Sequence, residues 1–448
     1  MYANPIRCVQ SSSLNLKLKT QLGVEKRRMT NLVRSLALAA VFGMVIAAFP
    51  AVANEINVPA KPTFYKDVLP ILQENCQDCH RPGGKNMGGM VAPMAFIDYK
   101  DTRPWAKGIA KAVSSKSMPP WDASTEHAGV FEGERVLDEA EIETIVRWAG
   151  TGAARGNEAN GPAPLVFEDS EGWSIGEPDL VVSMPEPYFV PDDLLDETVY
   201  FKTKLTEDQL PKDRWIKAVE FHAGSSAVHH IIARPLGGIA PGNAPSVYRE
   251  GYSARLHAGE EIVFNMHYHK EPGAGTGMWD QSEVGVIFYP EGYEPEHVLT
   301  TDPLGTFAIN IAPQEKDYVA TANLTFGSDA LINSMMPHMH LRGVAAKYEL
   351  TYPDGKEEVL LNVPEYDFNW QTSYRFKEPK FVPKGTKVTF TGTFDNSEGN
   401  PFNPDPSQRI TWGEATHEEM MFGWISYTDP DSDATAHSGF SSRRQDGR

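Results

Sequence analysis

The residues of this chain that could do chemistry are its closely spaced cysteines and histidines. Two of the three cysteines, Cys76 and Cys79, are separated by two residues and directly precede His80. Further histidines come in three close pairs: His229-His230, His267-Tyr268-His269 and His338-Met339-His340. A lone histidine is more often a surface or satisfied core residue, but repeated pairs point to metal ligation.

The segment Cys76-Gln77-Asp78-Cys79-His80 has the Cys-x-x-Cys-His form of a c-type haem attachment site. Thiols one helical turn apart can bond both haem vinyl groups, and the adjacent histidine then reaches the iron. A redox disulfide is the competing interpretation, but it would be expected in a βαβ context, which this sequence lacks. We therefore expect one covalent haem c, held by Cys76 and Cys79, with His80 as an axial iron ligand.

The sixth iron ligand should be a methionine or a histidine that follows the attachment motif. Met118, in Ser117-Met118-Pro119-Pro120-Trp121, is the strongest candidate because the prolines would fix its loop. Its rivals are Met87, Met90, Met94 and His127. A thioether ligand raises the reduction potential of haem iron, so this haem is predicted to carry electrons.

Residues 62–152 around this motif are predicted to be helical and resemble a small class I cytochrome c, so a cytochrome c domain is assigned to 62–155. Apolar residues at 64, 68, 71 and 72 lie on one helical face. Asp138 and Glu141 predict a capping box at the start of a later helix, which Gly150 should end. Residues 156–164 are rich in Gly, Pro and Asn and predict a linker.

Beyond the linker the apolar pattern changes to a period of two, which predicts strands. Tyr348, Leu350 and Tyr352 alternate before a turn at Pro353-Asp354-Gly355, and no convincing amphipathic helix occurs from 165 to 430. We predict a multidomain fold class, in which a small all-α cytochrome c domain precedes two antiparallel β-sandwich domains at 165–296 and 297–430.

The first 53 residues have the order of a secretory signal peptide. Basic residues precede an uncharged run, 35–54, which contains the small-residue cleavage pattern Ala51-Val52-Ala53. An uncleaved membrane anchor is the alternative, because the run is long enough to span a bilayer. The small-residue pattern favours cleavage, and Met29 is an alternative start. We expect a periplasmic or secreted mature chain with no membrane span, ending in a disordered tail at 431–448.

The charge balance narrows the choice of partners. The chain has 60 acidic and 41 basic residues, a net charge of −19. Binding to nucleic acid that does not depend on base sequence needs clustered Lys and Arg, so no nucleic-acid partner is expected. With only three cysteines in 448 residues, the chain is not a disulfide scaffold.

The histidine pairs have spacings that suit metal ligation on strands. On a strand, His-x-His places both imidazoles on one face, as two ligands of one metal require. The adjacent His229 and His230 would point to opposite faces of an ideal strand, so they require a bulge or a strand end. Imidazole and thioether ligands without cysteine favour copper over structural zinc.

The order of these motifs resembles that of the copper type II monooxygenases, which include peptidylglycine α-hydroxylating monooxygenase and dopamine β-monooxygenase. His-His, His-Tyr, His-x-His-x-x-Gly and Glu-Glu-Met follow one another between residues 229 and 420. The resemblance implies two jelly-roll-like domains that hold one copper each. It implies a first copper at His229, His230 and His267, and a second, catalytic copper at His338, His340 and Met420.

Two ligand choices and the substrate stay open at this point. Met421 is a close rival of Met420, and His269 is a rival of His267. In the peptide-amidating enzyme, an arginine and a tyrosine that hold the substrate carboxylate match Met336 and Trp424 here. A peptide C-terminus is therefore not the expected substrate, and the pocket should be more apolar. The disulfides of the animal enzymes also have no counterpart, because this segment has no cysteine.

These expectations combine into an exported monooxygenase with two coppers and one haem c. The resemblance implies that O2 activated at the second site attacks a C–H bond of a small apolar or aromatic molecule, while the first site stores an electron. The fused haem, at high effective concentration, is expected to reduce the first copper and to draw on an external electron donor. One alternative is an electron-transfer cytochrome whose sandwiches bind copper or a partner without oxygenase activity. Another is a carbohydrate-binding sandwich that contains no copper.

Overall fold

The structure is a computed structural model that describes residues 58–84, 92–167 and 172–428. The expected signal peptide at 1–53 and the expected tail at 431–448 lie outside these residues, as do the candidate ligands Met87 and Met90. Among the helices of the described residues, none is long and apolar enough to cross a membrane.

Short helices make up the first part of the described chain. A π-helical turn, Phe64–Val68, leads into α1, and 3-10 turns accompany the later helices. The helices are α1 (Leu69–Asn75), α2 (Tyr99–Thr102), α3 (Ala106–Ser114) and α4 (Glu139–Gly150), and the 3-10 turns are Arg103–Trp105, Thr125–His127 and Glu158–Asn160. Asp138 and Glu141 form the predicted capping box at the start of α4.

The helices enclose a core of their own, which contains the apolar face predicted at 64, 68, 71 and 72. Phe64, Leu72 and Trp148 are fully buried there. The rings of Phe64 and Trp148 lie 5.9 Å apart between centroids. The helical period in the sequence therefore identified this small core correctly.

The helical segment is nevertheless not the self-contained all-α domain that the sequence predicted. Residues 121–135 leave the helices and pack on the second sandwich, where Phe131 is fully buried and forms a β-bridge with Phe376. Backbone hydrogen bonds follow this contact: Ser124 N–H to Asn362 O at 2.8 Å, Glu132 N–H to Arg375 O at 2.8 Å and Lys377 N–H to Val130 O at 3.0 Å. The Glu132 carboxylate also lies 3.0 Å from the Arg249 guanidinium of the first sandwich. Phe131 is thus buried in the core of the second sandwich. An independent domain would bury its large apolar side chains in its own core.

The first sandwich has two main antiparallel sheets that enclose one core. Its strands are β1 (Leu180–Ser183), β2 (Tyr188–Val190), β3 (Asp196–Lys204), β4 (Arg214–His222), β5 (Val228–Arg234), β6 (Gly237–Ile239), β7 (Ser246–Val247), β8 (Tyr252–Ser253), β9 (Arg255–Leu256), β10 (Glu261–His269), β11 (Met278–Asp280) and β12 (Glu283–Phe288). One sheet has the order β1-β12-β4-β7, with β9 also paired to β4; the other has the order β3-β10-β5-β6. Every second residue of β10 from Ile262 to Met266 is fully buried, as a half-buried strand requires.

The second sandwich repeats this plan with longer strands. Its strands are β13 (His297–Gly305), β14 (Asn310–Ile311), β15 (Tyr318–Thr325), β16 (Ala330–Met339), β17 (Gly343–Thr351), β18 (Glu357–Val363), β19 (Tyr374–Val382), β20 (Lys387–Phe394), β21 (Ile410–Thr411) and β22 (Met421–Thr428). One sheet has the order β19-β16-β22-β13, with β8 of the first sandwich paired in parallel to β13; the other has the order β15-β20-β17-β18. The β-sandwich part of the predicted fold is therefore confirmed.

An acidic residue lies where the helical segment meets the second sandwich. Trp121 packs edge-on against Tyr374, with 5.1 Å between ring centroids, and the next residue is Asp122. Burial, with Asp367 and Glu365 nearby, raises the pKa of Asp122 to about 7. Between its unfolded pKa and this value, the Asp122 carboxyl is protonated in the folded chain and ionised in the unfolded chain.

Replacing Asp122 by Asn should therefore stabilise the chain in a pH-dependent way. A raised pKa means that the folded state binds more protons, so the contribution of this group to stability is lost as the pH rises from about 4 through about 7. Asp122→Asn should raise the thermal unfolding midpoint more at pH 8 than at pH 5. The exposed Asp208→Asn is the matched control. An equal shift of the Asp122→Asn midpoint at both pH values would contradict the assignment.

Candidate metal centres

Three histidines of the first sandwich converge on one point. His229 and His230 on β5 and His267 on β10 each place a ring nitrogen within 4.8 Å of the others. The ring centroids of His230 and His267 are 4.7 Å apart, and those of His229 and His267 are 5.1 Å apart. These are the three histidines that the family resemblance assigned to the first copper.

A β-bulge explains how the adjacent His229 and His230 both reach this cluster. In the pairing of β5 with β10, His230 lies opposite His267, and the next pair joins Val228 to Tyr268. His229 is therefore the extra residue of the bulge. An extra residue bends the strand locally and lets consecutive side chains turn to the same side. The irregularity that the sequence required at this point is present.

The tautomer of His267 is set by a carboxylate that sequence reasoning missed. His267 Nε2 lies 3.2 Å from Oδ2 of Asp196. Burial would raise the pKa of Asp196, but hydrogen bonds from His267, His269 and Thr416 hold it well below its usual value. The ionised carboxylate can only accept, so Nε2 carries the proton and Nδ1 keeps its lone pair. That Nδ1 lies 3.3 Å from Nδ1 of His230.

The cluster has the donor properties that a metal ion needs. Both ring nitrogens of His229 are buried, and neither has a hydrogen-bond partner among the described residues. Such orphaned atoms are costly unless a ligand satisfies them. Burial and the neighbouring imidazoles hold the pKa values of His229 and His230 well below the ordinary value, so both rings are neutral, as ligation requires. An all-imidazole set suits copper and also zinc, so these residues fit the expected metal without selecting it.

His269, the rival of His267, lies to one side of the cluster. Its side chain is 35% exposed, and its Nδ1 lies 3.2 Å from Oδ2 of Asp196. The group of three ring nitrogens within 4.8 Å contains His267 and not His269. The structure thus places His269 as a neighbour of the carboxylate that orients His267.

The second sandwich brings His338, His340 and Met420 to the wall of one cavity of about 470 Å³. His338 lies near the end of β16, His340 follows that strand, and Met420 directly precedes β22. The rings of the two histidines are perpendicular, with centroids 5.3 Å apart. Met421, the rival of Met420, is fully buried in the core of the second sandwich instead. Alternation at the start of β22 therefore turns Met420 towards the cavity and Met421 into the core.

His338 is held by a glutamine that the sequence analysis did not single out. Its Nδ1–H donates to Oε1 of Gln371 at 2.6 Å, while Nε2 of Gln371 donates to the carbonyl of Phe368 at 3.1 Å. The second bond fixes the amide orientation, so Nε2 of His338 is the ring nitrogen with a free lone pair. Burial lowers the pKa of His338 to about 4, and the ring is neutral near pH 7.

Glu419 anchors the residues around the second cluster. It is fully buried, and its carboxylate accepts the backbone N–H groups of His340 at 3.0 Å and Arg342 at 2.7 Å. Burial raises its pKa to about 8. Arg342 is likewise buried, with 1% of its surface exposed, and it donates to Asn396 and to the His417 carbonyl.

The two histidine clusters face each other where the sandwiches meet. The ring centroids of His230 and His338 are 6.0 Å apart. Phe368 of the second sandwich stacks on His229 at 4.5 Å. The structure therefore gathers the five histidines assigned to copper at one place. Met336 and Trp424, the positions that depart from the peptide-amidating enzyme, both line the adjoining cavity.

The Cys-x-x-Cys-His motif follows the end of α1. The backbone N–H of His80 donates to the Cys76 carbonyl at 2.8 Å, so the motif forms a helical turn, and both thiols are unbridged. Nδ1 of His80 lies 3.2 Å from the Met94 carbonyl, which can only accept, so Nε2 keeps its lone pair. Two thiols on one turn and an oriented histidine fit a c-type haem.

Two of the candidates for the sixth iron ligand have other contacts. His127 accepts the backbone N–H of Asn362 at 3.0 Å and thus faces the second sandwich. Met94 is a partly buried neighbour of the helical core. Met118 is half-buried and precedes the segment 121–135 by three residues. The assignment of Met118 as the sixth iron ligand stays a prediction.

Comparisons with known proteins place the chain in no family. No family model matches it, and no curated protein matches it. The infectious bursal disease virus VP2 subviral particle is 10% identical over 55% of this chain and 71% of that chain, with a TM-score of 0.18. PNGF-II is 9% identical over 57% and 66%, with a TM-score of 0.26. The CBM22-1-CBM22-2 tandem domain of Paenibacillus barcinonensis Xyn10C is 9% identical over 58% and 95%, with a TM-score of 0.16. Likenesses this slight have no bearing on function.

The placement of Met420 and Met421 gives a matched pair of variants. Met420→Leu should weaken Cu(I) binding at the second cluster by at least about tenfold. Loss of a residue that only hydrogen-bonds a metal ligand already costs about that much in metal affinity, and loss of a ligand should cost more. Met421→Leu is a volume-conserving core change and should leave the Cu(I) affinity unaltered. Titration against a chromophoric Cu(I) chelator measures both. The opposite pattern of losses would make Met421 the ligand.

Proposed function

We propose that the chain is an exported copper monooxygenase that hydroxylates a C–H bond of a small apolar or aromatic molecule with O2. One observation carries the proposal: histidines from three separate motifs form two adjoining clusters, and the second cluster lines a cavity next to the methionine expected there. The order of the motifs resembles that of the copper type II monooxygenases, and the two sandwiches are compatible with the jelly-roll-like domains of that family.

The ligand sets follow from this arrangement. His229, His230 and His267 would hold the first copper, and His338, His340 and Met420 would hold the second. Copper supplies one-electron and O2 chemistry when it is bound. A thioether among the ligands favours Cu(I), the state that meets O2, and so suits the second site.

The chain's own residues keep these ligands neutral, oriented and shielded. Asp196 holds the proton of His267 on Nε2, and Gln371 holds the proton of His338 on Nδ1. Phe368 covers His229. The cavity beside the second cluster is lined by Met336, Phe422 and Trp424, so an apolar substrate would displace water from it on binding.

The N-terminal segment supports a role for haem as the internal electron source. Cys76, Cys79, His80 and Met118 would hold a haem c, which supplies electrons one at a time when it is bound. The residues after Met118 pack on the second sandwich through Trp121 and Tyr374. Tyr374 follows Gln371 by three residues, and Gln371 contacts His338. The segment that would carry the haem is therefore held against the second sandwich. The expected electron transfer from the haem to the first copper stays a prediction. Export by the segment at 1–53 would place the protein in the periplasm or outside the cell, where an external donor would reduce the haem.

Metal content and O2 uptake test the proposal together. The fully loaded chain should contain two coppers and one iron, and it should consume O2 with some members of a panel of apolar and aromatic compounds. His338→Ala should reduce substrate-dependent O2 uptake to background, because the second copper loses a ligand. His257→Ala, at a histidine that contacts Asp213 and lies outside both clusters, should leave the uptake unchanged. Copper without substrate-dependent uptake would favour an electron-transfer protein, and a chain without copper would end the proposal.

A further inference from the structure

Asp196, the first residue of β3, contacts the first histidine cluster and the segment of the second sandwich that leads to Met420. Its Oδ2 accepts from Nε2 of His267 at 3.2 Å and also from the hydroxyl of Thr416. Its Oδ1 accepts the backbone N–H of Thr416 at 3.2 Å. Thr416 belongs to the second sandwich, in the segment 412–420 that ends at Met420. One carboxylate of the first sandwich therefore joins a ligand of its own cluster to the segment that carries a ligand of the other.

The segment 412–420 has anchors on both sandwiches. Tyr200 on β3 donates its hydroxyl to Glu414 at 2.8 Å, and Asp196 holds Thr416 as described above. Within the second sandwich, Glu419 accepts the backbone N–H groups of His340 and Arg342. Two of these anchors come from the same strand of the first sandwich. The position of Met420 is therefore fixed partly by β3 and not by the second sandwich alone.

The Asp196 side chain is buried and firmly held, so it can fix the positions of the residues that it contacts. It is 6% exposed, and hydrogen bonds to an ionised carboxylate are roughly twice as strong as those between neutral groups. A carboxylate that is hydrogen-bonded on both oxygens has little freedom to rotate. A metal ion on Nδ1 of His267 would make its Nε2–H a stronger donor and would restrict Asp196 further.

We propose that Asp196 is a shared positioning residue of the two metal sites, acting on the first through His267 and on the second through Thr416 and the segment that ends at Met420. The proposal rests on the proposed function for the identity of the two sites. Its consequence is that Thr416, which is not among the assigned metal ligands, controls the Cu(I) affinity of the second site. Because copper in the first site would restrict Asp196, it should raise the copper affinity of the second site, and by reciprocity copper in the second site should raise that of the first by the same factor.

Variants of Thr416 test this link in the full, haem-containing chain. Thr416→Val removes the hydroxyl donor and keeps the shape of the side chain, whereas Thr416→Ser keeps the donor. Thr416→Val should lower the Cu(I) affinity of the second site by about tenfold, as loss of an outer-shell partner does, and Thr416→Ser should restore it. Chelator competition under anaerobic conditions measures the affinity. Thr411→Val, at an exposed threonine on β21, is the control.

A second readout separates this role from a general loss of structure. Asp196→Asn should change the Cu(II) electron paramagnetic resonance spectrum of the first site and also lower the Cu(I) affinity of the second. Thr416→Val should leave that spectrum close to that of the unmodified chain, because His267 keeps its hydrogen bond to Asp196. Equal Cu(I) affinities in Thr416→Val and the unmodified chain, or equal losses in Thr416→Val and Thr416→Ser, would overturn the proposal.

These outcomes are distinguishable from failure of the monooxygenase assignment. If the unmodified chain binds copper at both sites and consumes no O2, the affinity pattern still tests the role of Asp196 and the enzyme assignment falls alone. If O2 is consumed and Thr416→Val binds Cu(I) normally, the positioning role falls alone. If the chain binds no copper, both proposals fail.

Discussion

The arrangement depends on five imidazoles gathered at the meeting point of two β-sandwiches. Such a cluster is stable only while the rings are neutral and their inward nitrogens have partners, since charging any one of them would set like charges against each other. The supporting residues serve this constraint: the bulge at His229 aims two rings, and Gln371 fixes the proton of a third. Gln371 is itself held across the interface, where its backbone N–H donates to Pro241 and its carbonyl accepts from Asn243. Neither sandwich could form this site alone.

Features that depend on residues close together in the chain were predictable from the sequence. The capping box at Asp138 and the bulge at His229 are two such features. The supporting residues were not predictable, because Asp196 and Thr416 are ordinary polar residues 220 positions apart that meet only through tertiary packing. The burial of Arg342 and Glu419 was not predictable for a related reason. Charged residues near strands usually face water, whereas here each one hydrogen-bonds the backbone of the segment that carries the other. Nothing in one sequence marks such pairs in advance.

The helical segment illustrates the same limit at the level of whole domains. Its core was predicted from a helical period, but Phe131 lies in a loop with no period, and a loop residue carries no signal of which core it will join. The buried ring belongs to the second sandwich, and Glu132 beside it contacts Arg249 of the first. The predicted order of elements was therefore right, whereas the predicted independence of the first domain was not.

The burial of Phe131 has a consequence for how this protein came to combine its parts. An electron-supplying domain joined by a free linker can be lost, duplicated or replaced without harm to the rest of the chain. Here the segment that would carry the haem also completes the interior of the second sandwich, beside Tyr374 and Phe376. Removing it would open an apolar cavity in that sandwich as well as remove the Cys-x-x-Cys-His motif. Selection for stability alone would then keep the motif-bearing segment and the sandwiches together in one gene product, whatever reaction they carry out.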